Sequence, residues 1–107
     1  TPSADDVLCG MAYTLLHGAR KLTAADMEFV NAVRRYAPER TNLISAAILK
    51  AVTDGGRFEM MDNVLRGLTG AGEDGTQRLL TIGSSSGSEM LLGITIAAKL
   101  IHGRGQL

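Results

Sequence analysis

The sequence predicts an all-α fold, a compact bundle of about five to six helices in one domain over residues 1–107. Apolar residues recur at helical spacing, most regularly between Leu43 and Val52, where they fall at i, i+1, i+4, i+5, i+8 and i+9. No stretch alternates polar and apolar residues in the manner of a half-buried strand, and no Asn-Gly hairpin turn is present. A chain of 107 residues is long enough to bury a hydrophobic core.

The composition argues against several classes of partner and location. Eleven basic residues balance eleven acidic ones, so the chain lacks the net positive charge on which binding to nucleic acid or an anionic membrane relies. No segment has the ~20 apolar residues that a membrane-spanning helix needs. Cys9 is the single cysteine, which indicates a reducing, cytoplasmic location. Because its neighbours are apolar, we interpret Cys9 as a small core residue rather than a nucleophile.

The middle of the chain shows helix boundaries of familiar kinds. A second helix is expected to begin at Thr23 and to end at Pro38, because proline has no backbone N–H to donate. A third helix, over the periodic segment, is expected to end at Gly55–Gly56. A fourth carries apolar residues on one side over 58–68. A short helix is expected over 73–82, although residues 79–82 taken alone also fit a strand.

The last helix follows a polar loop bounded by glycines. Ser86 and Glu89 have the spacing of a capping box, so a helix is expected to start there. The segment Met90–Ile101 has no wide polar stripe, and we expect a helix of this kind to be buried in the middle of the domain. Residues 104–107 are expected to fray.

The start of the chain repeats this pattern. Residues 3–10 and 86–93 both read Ser-x-x-acid-x-Leu-x-Gly, so each is expected to cap a helix, the first running over Ala4–Gly18. Both place a glycine in the second turn, Gly10 and Gly93, where glycine costs about 1 kcal/mol relative to alanine. A close approach of two backbones would explain that cost. We therefore expect the two helices to cross near these glycines with both polar starts on one side, the alternative being a chance likeness.

These two helix starts form the candidate binding site. Free backbone N–H groups at a helix start can hold a phosphate or carboxylate. Glu89 opposes this by about 3 kcal/mol at ~5 Å, so an anion would need an added cation. The carboxylates of Asp5, Asp6 and Glu89 offer Mg²⁺ ligands, or they only cap helices. The candidate ligand-binding residues are Thr1, Ser3, Asp5, Asp6, Asn42, Ser45, Ser85, Ser86, Gly87 and Ser88.

Two further residue types have alternative interpretations. Thr1 fits an N-terminal nucleophile released by self-cleavage, or simply the first residue of a fragment of a longer chain. His17 and His102 fall near predicted helix ends, where a histidine more often interacts with the helix terminus than acts in catalysis.

Three segments together resemble one bacterial family. Residues 1–10 read Thr-Pro-Ser-x-Asp-Asp-x-Leu-x-Gly, residues 41–45 carry Asn and Ser, and residues 79–93 read Leu-Leu-x-Ile-Gly-x-Ser-Ser-Gly-x-Glu-x-Leu-x-Gly. The chain resembles the family that contains the third subunit of oxamate carbamoyltransferase, from anaerobic allantoin breakdown. Members of that family are longer, so the resemblance implies a C-terminal portion whose partners include its own N-terminal portion.

The resemblance implies a role in interconverting oxalurate plus phosphate with oxamate plus carbamoyl phosphate. It also implies a complex with two other kinds of subunit and a small anionic substrate, without implying that this chain holds the catalytic groups. The start over Ser84–Ser88 has hydroxyls but lacks the arginine of the Ser-Thr-Arg-Thr type of phosphate-binding helix start. Two other hypotheses stay open: a non-catalytic helical interaction module, and a Mg²⁺-dependent hydrolase using Asp5, Asp6 and Glu89.

Overall fold

A computed structural model describes residues 2–40, 43–68, 70, 75 and 86–107, with the backbone alone for 2, 3, 37–40, 43–45 and 86. Over these residues the chain forms five helices and no strand, which confirms the predicted all-α bundle. The helices are α1 (Pro2–Gly18), α2 (Ala24–Arg40), α3 (Leu43–Thr53), α4 (Glu59–Leu68) and α5 (Ser86–Gly103). Apart from Gly75, the short helix predicted over 73–82 lies outside the described residues.

The crossing of α1 and α5 forms the centre of the fold. A Cβ added to Gly10 would lie 2.1 Å from the carbonyl oxygen of Met90, and one added to Gly93 would lie 2.1 Å from that of Val7. The missing side chains therefore let the two backbones touch. This confirms that the helices cross near the two glycines. Farther along both helices, Leu15 clusters with Ala97 and Ile101, so α1 and α5 run in the same direction.

All five helices contribute to one main hydrophobic core. Its buried members are Cys9, Ala12, Tyr13, Val30, Val33, Leu49, Val52, Met61, Val64, Leu65 and Ile94. Cys9 is only 1% exposed, which confirms its interpretation as a core residue.

Two apolar faces are less buried than their sequences predict. Three large side chains of α5 are exposed by 51%, 43% and 52%: Leu92, Ile96 and Leu100. The prediction that α5 is buried on nearly all sides is therefore wrong, because α5 packs on α1 along one side. In α3 the core takes up Leu49 and Val52, whereas Ile48 of the periodic face is partly exposed.

The end of α2 and the end of the chain also differ from the prediction. Helix α2 continues past Pro38 to Arg40, because a proline in the last turn removes only one hydrogen bond of the helix. The chain end does not fray, since Arg104 donates to both carboxylate oxygens of Asp26 at 3.1 and 3.0 Å. The N–H of Arg20 also donates to the carbonyl of Gln106 at 2.6 Å.

Within the part of the chain that the structure covers, no helix has the length and apolarity that crossing a bilayer requires.

Candidate functional site

The contact between α1 and α5 is reciprocal, and it brings the two helix starts to one end of the fold. Gly10 touches the carbonyl of Met90, three residues before Gly93, and Gly93 touches the carbonyl of Val7, three residues before Gly10. Val7 and Met90 are the sixth and fifth residues of their helices, so the contact lies about 6–8 Å along each axis from the helix start. Both starts therefore lie on the same side of the crossing, as predicted.

The predicted ligand-binding residues at this end differ in exposure. The Asp5 side chain is buried, Asp6 and Glu89 are half-buried, Gly87 is buried and Ser88 is exposed. Three serines lie in helices with no side chain described: Ser3, Ser45 and Ser86. The remaining residues, Thr1, Asn42 and Ser85, lie outside the described part of the chain. Their assignment to ligand binding stays a prediction.

Metal binding by the carboxylates at this end gains no support. Among the residues that the structure describes, no group of three or more His, Cys, Asp or Glu side chains is arranged to hold a metal ion. The Mg²⁺ site of Asp5, Asp6 and Glu89 stays a prediction.

Cys9, in α1, is a buried member of the main hydrophobic core, and its surroundings limit the reactivity of its thiol. Burial, and to a smaller extent the nearby charge of Asp6, raise the pKa of the Cys9 thiol to about 12. The thiolate is the nucleophilic form, and it is scarcely populated near neutral pH. Cys9 is therefore a packing residue of this site rather than a reactive one.

An apolar cavity of about 230 Å³ opens beside Cys9. Its lining residues are Cys9, Ile48, Phe58, Glu59, Met60, Met61 and Met90. A cavity with this lining favours apolar groups, because burying an unpaired charge among thioethers and alkyl groups is costly. It does not suit a small anionic substrate.

A polar cluster lies at the opposite end of α1. The buried Tyr13 hydroxyl accepts the N–H of Phe58 at 2.8 Å and donates to Oδ1 of Asp62. Arg57 Nη1 contacts the same Oδ1 at 3.0 Å. The ring of His17 lies edge-on to that of Tyr13, with 4.6 Å between the ring centroids. This cluster links α1, the loop before α4, and α4 itself.

The electrostatics of the cluster keep Tyr13 protonated. Burial, followed by the hydrogen bond to the Asp62 carboxylate, raises the pKa of Tyr13 to about 12. The hydroxyl therefore remains a donor to Asp62 throughout the physiological pH range. His17 is held separately, since its Nε2 lies 3.1 Å from the carbonyl oxygen of Gly56. A carbonyl only accepts, so Nε2 carries the proton in this contact.

A cavity of about 200 Å³ opens on this cluster, and we call it the polar cavity. Its lining residues are His17, Gly18, Arg57, Asp62, Leu65 and Arg66. Two guanidinium groups, an imidazole and a carboxylate thus share one small opening. These side chains are of the kinds that form direct hydrogen bonds with charged groups.

Sequence reasoning missed the polar cluster because its members are distant in the chain. Tyr13 meets Phe58 and Asp62 across separations of 45 and 49 residues, and no short motif joins them. The available signals were local ones. Tyr13 and His17 are four residues apart, as are Asp62 and Arg66, so each pair lies on one face of its helix.

Comparison with known proteins identifies the family. No curated protein and no solved structure matches the chain. The model of the family described as oxamate carbamoyltransferase subunit AllH matches residues 1–98. That match covers both helix starts, the glycine crossing and all five described helices up to the last turns of α5. The chain therefore belongs to the family of the oxamate carbamoyltransferase subunit AllH.

Proposed function

We propose that the chain serves the carbamoyltransferase reaction of its family, the interconversion of oxalurate plus phosphate with oxamate plus carbamoyl phosphate. The single observation that carries the proposal is the family match over residues 1–98. In this reaction a C–N bond of oxalurate breaks, a C–O bond to phosphate forms, and the released oxamate nitrogen takes up a proton. An enzyme for this reaction must hold two small anions side by side.

The paired helix starts suit that requirement. Each helix start carries about half a positive charge, so two adjacent starts favour two neighbouring anions. The carboxylates of Asp5, Asp6 and Glu89 work against this field, as one unit charge at ~5 Å costs about 3 kcal/mol. We therefore assign the compensating positive charge to another subunit of the complex.

In this proposal the chain binds and orients substrate in a pocket between the two helix starts, which is distinct from the polar cavity. This pocket includes Asp6, Asn42 and the serines at the start of α5. Hydroxyl, amide and backbone N–H groups there donate hydrogen bonds to the anions, and the Asp6 carboxylate accepts one from an amide N–H of oxalurate or oxamate. The chain works in the cytoplasm, consistent with the free, buried thiol of Cys9.

The test is the rate of carbamoyl phosphate formation by the complete complex carrying Asp6→Ala and Ser86→Ala together. Loss of two substrate contacts of about 1 kcal/mol each should lower kcat/KM by at least about tenfold. Glu28→Gln, at an exposed carboxylate of α2, is the control and should leave the rate unchanged. An unchanged rate in the double variant would remove the pocket assignment. Calorimetry without any Mg²⁺ binding heat would remove the metal alternative.

A second candidate function is a non-catalytic interaction module, and the exposed side of α5 favours it. Leu92, Ile96 and Leu100 are spaced by four residues, so they form one stripe on the helix surface. A contiguous exposed apolar stripe of this kind marks a protein interface. We assign another subunit of the same complex as its partner, because the family is that of an enzyme subunit.

Co-purification with the other subunits tests this candidate. Ile96→Glu should abolish co-purification, because it puts a charge at the centre of the stripe. Ala32→Glu, on the exposed surface of α2, is the matched control and should assemble normally. Normal assembly of Ile96→Glu would refute the interface. If Ile96→Glu prevents assembly while Asp6→Ala with Ser86→Ala keeps full activity, the chain is an interaction module only.

A further inference from the structure

We infer that the exposed face of α5 binds an acidic amphipathic helix of another subunit of the complex. The inference rests on the second candidate function, the interaction module, and adds to it the chemistry of the partner and the full extent of the surface. It does not require the chain to bind substrate. Three neighbouring features of α5 carry it: the apolar stripe of Leu92, Ile96 and Leu100, two basic side chains, and an apolar groove.

The groove lies beside the stripe and has a volume of about 270 Å³. Its lining residues are Leu68, Thr95, Ala98, Lys99, His102 and Leu107. Leu68, the last residue of α4, is 50% exposed. Because a water molecule takes up about 30 Å³ in the liquid, the groove has room for a large apolar side chain. The apolar surface of α5 therefore extends beyond the stripe.

The two basic residues of this face are Lys99 and His102, and both are exposed. Lys99 follows Ile96 by three residues and Thr95 by four, so it borders both the stripe and the groove. His102 follows Lys99 by three residues, on the groove side. Neither side chain forms an ion pair with a carboxylate in the described part of the chain. Their donors are thus available to a partner.

This arrangement favours a helix with carboxylates between its apolar residues. The stripe extends about 12 Å from Leu92 to Leu100, and a ridge of side chains four residues apart packs between the side chains of another helix. Carboxylates of that helix would pair with Lys99 and His102, since complementary charges beside an apolar contact select the partner. An apolar side chain of the same helix would fill the groove.

A second copy of this face does not have the required chemistry. No acidic residue occurs between Met90 and Gly103, so two such faces in contact would bring no carboxylate from this segment to Lys99. The family is that of an enzyme subunit, and we therefore assign the acidic helix to a different subunit of the complex.

Zero-length carbodiimide cross-linking of the complete complex, followed by peptide mass spectrometry, tests the assignment. The reagent joins an amine to a carboxylate in direct contact with it. We expect Lys99 to be linked to an aspartate or glutamate of another subunit. A link from Lys99 to a second copy of this chain would overturn the assignment. The same conclusion would follow if Lys99 reacted with an amine reagent as fast in the complex as in the separated chain.

A charge reversal with a matched control measures the contribution of Lys99. Binding of the complete chain to the other subunits should weaken by at least about tenfold for Lys99→Glu, mainly through slower association. Arg35→Glu, the same reversal on the exposed surface of α2, should leave the Kd unchanged. Added salt should weaken binding of the unmodified chain more than binding of Lys99→Gln. Equal Kd values for Lys99→Glu and Arg35→Glu would refute the acidic partner.

A second pair of variants tests the groove. Leu68→Ser should raise the Kd by about tenfold, because it removes an apolar wall that the partner covers. Met27→Ser, at a residue of α2 that is 37% exposed, is the control and should not change it. Equal Kd values for these two variants would remove the groove from the interface.

Ile96→Glu separates failure of this inference from failure of the proposed function. If Ile96→Glu prevents assembly while Lys99→Glu and Leu68→Ser assemble like the unmodified chain, the stripe is an interface and the acidic partner helix is wrong. If Ile96→Glu also assembles normally, the interaction module itself is refuted.

Discussion

Replacing Gly10 or Gly93 by alanine should destabilise the protein, because a methyl group at either position would meet the backbone of the other helix. The added Cβ would lie 2.1 Å from a carbonyl oxygen in both cases, and 3.0 or 2.9 Å from a backbone nitrogen. A carbon normally approaches a carbonyl oxygen to about 3.3 Å. The helices would therefore have to separate locally by about 1 Å, since backbone atoms cannot rotate out of the way.

The expected magnitude combines two opposing terms. Overpacking a core typically costs about 1–3 kcal/mol, and here the atom that must move belongs to the backbone, which favours the upper part of that range. The better helix propensity of alanine offsets about 1 kcal/mol of this loss in the free energy of unfolding. We expect a net loss of about 2 kcal/mol in the free energy of unfolding for each single variant.

Urea unfolding followed by far-UV circular dichroism measures this loss. Gly103→Ala is the matched control, because a Cβ at this helical glycine of α5 would meet nothing within 4 Å. It should be neutral or stabilising by up to about 1 kcal/mol. The double variant Gly10→Ala with Gly93→Ala should cost less than the sum of the two, because the first methyl already separates the helices.

The close crossing would be refuted if Gly10→Ala and Gly93→Ala were as well tolerated as Gly103→Ala. Full additivity of the two substitutions would also contradict it, because it would mean that the two glycines do not share one contact.

Three other outcomes follow from the buried polar groups. Asp26→Asn should lower the free energy of unfolding by about 2 kcal/mol near pH 7, since it weakens a partly buried ion pair. The Arg104 guanidinium holds the pKa of Asp26 below its usual value. This contribution is therefore present above about pH 4 and is lost as the pH falls through the lowered pKa. Urea unfolding near pH 7 and below about pH 4 measures the difference. Tyr13→Phe should cost about 1–2 kcal/mol, because Asp62 and a backbone N–H lose their partner. Spectrophotometric titration should show one of the two tyrosines ionising only near pH 12, and the stabilisation by Tyr13, complete below about pH 10, should disappear through that range. Cys9 should react with a thiol reagent only after unfolding, and rapid labelling of the native chain would contradict its raised pKa.

The sequence was most informative where its signals are local. Capping residues and stop glycines act within one or two turns, so they predict the helices and most of their ends. The repeat that ends in Gly10 and Gly93 went further, because a glycine in the second turn of two related helices has a specific packing use. That pattern alone predicted a contact between residues 83 positions apart.

The functional assignment was only partly accessible in the same way. The motifs at the two ends of the chain indicated the family, and the family match over residues 1–98 confirms it. The roles of Asp5, Asp6 and Ser88 stay predictions, because capping a helix and binding a substrate favour the same polar residues. No spacing rule separates these two uses.

The helical class, the boundaries of most helices and the glycine crossing were thus determined by the sequence itself, through interactions within a few residues and one internal repeat. The tertiary structure alone decided that Leu92, Ile96 and Leu100 stay exposed, and that Arg104 ties the chain end to Asp26. It also brought Tyr13 to Asp62 and created the polar cavity. The physical reason is that these outcomes depend on which side of each helix finds a partner, and that choice is made by packing between segments far apart in the chain.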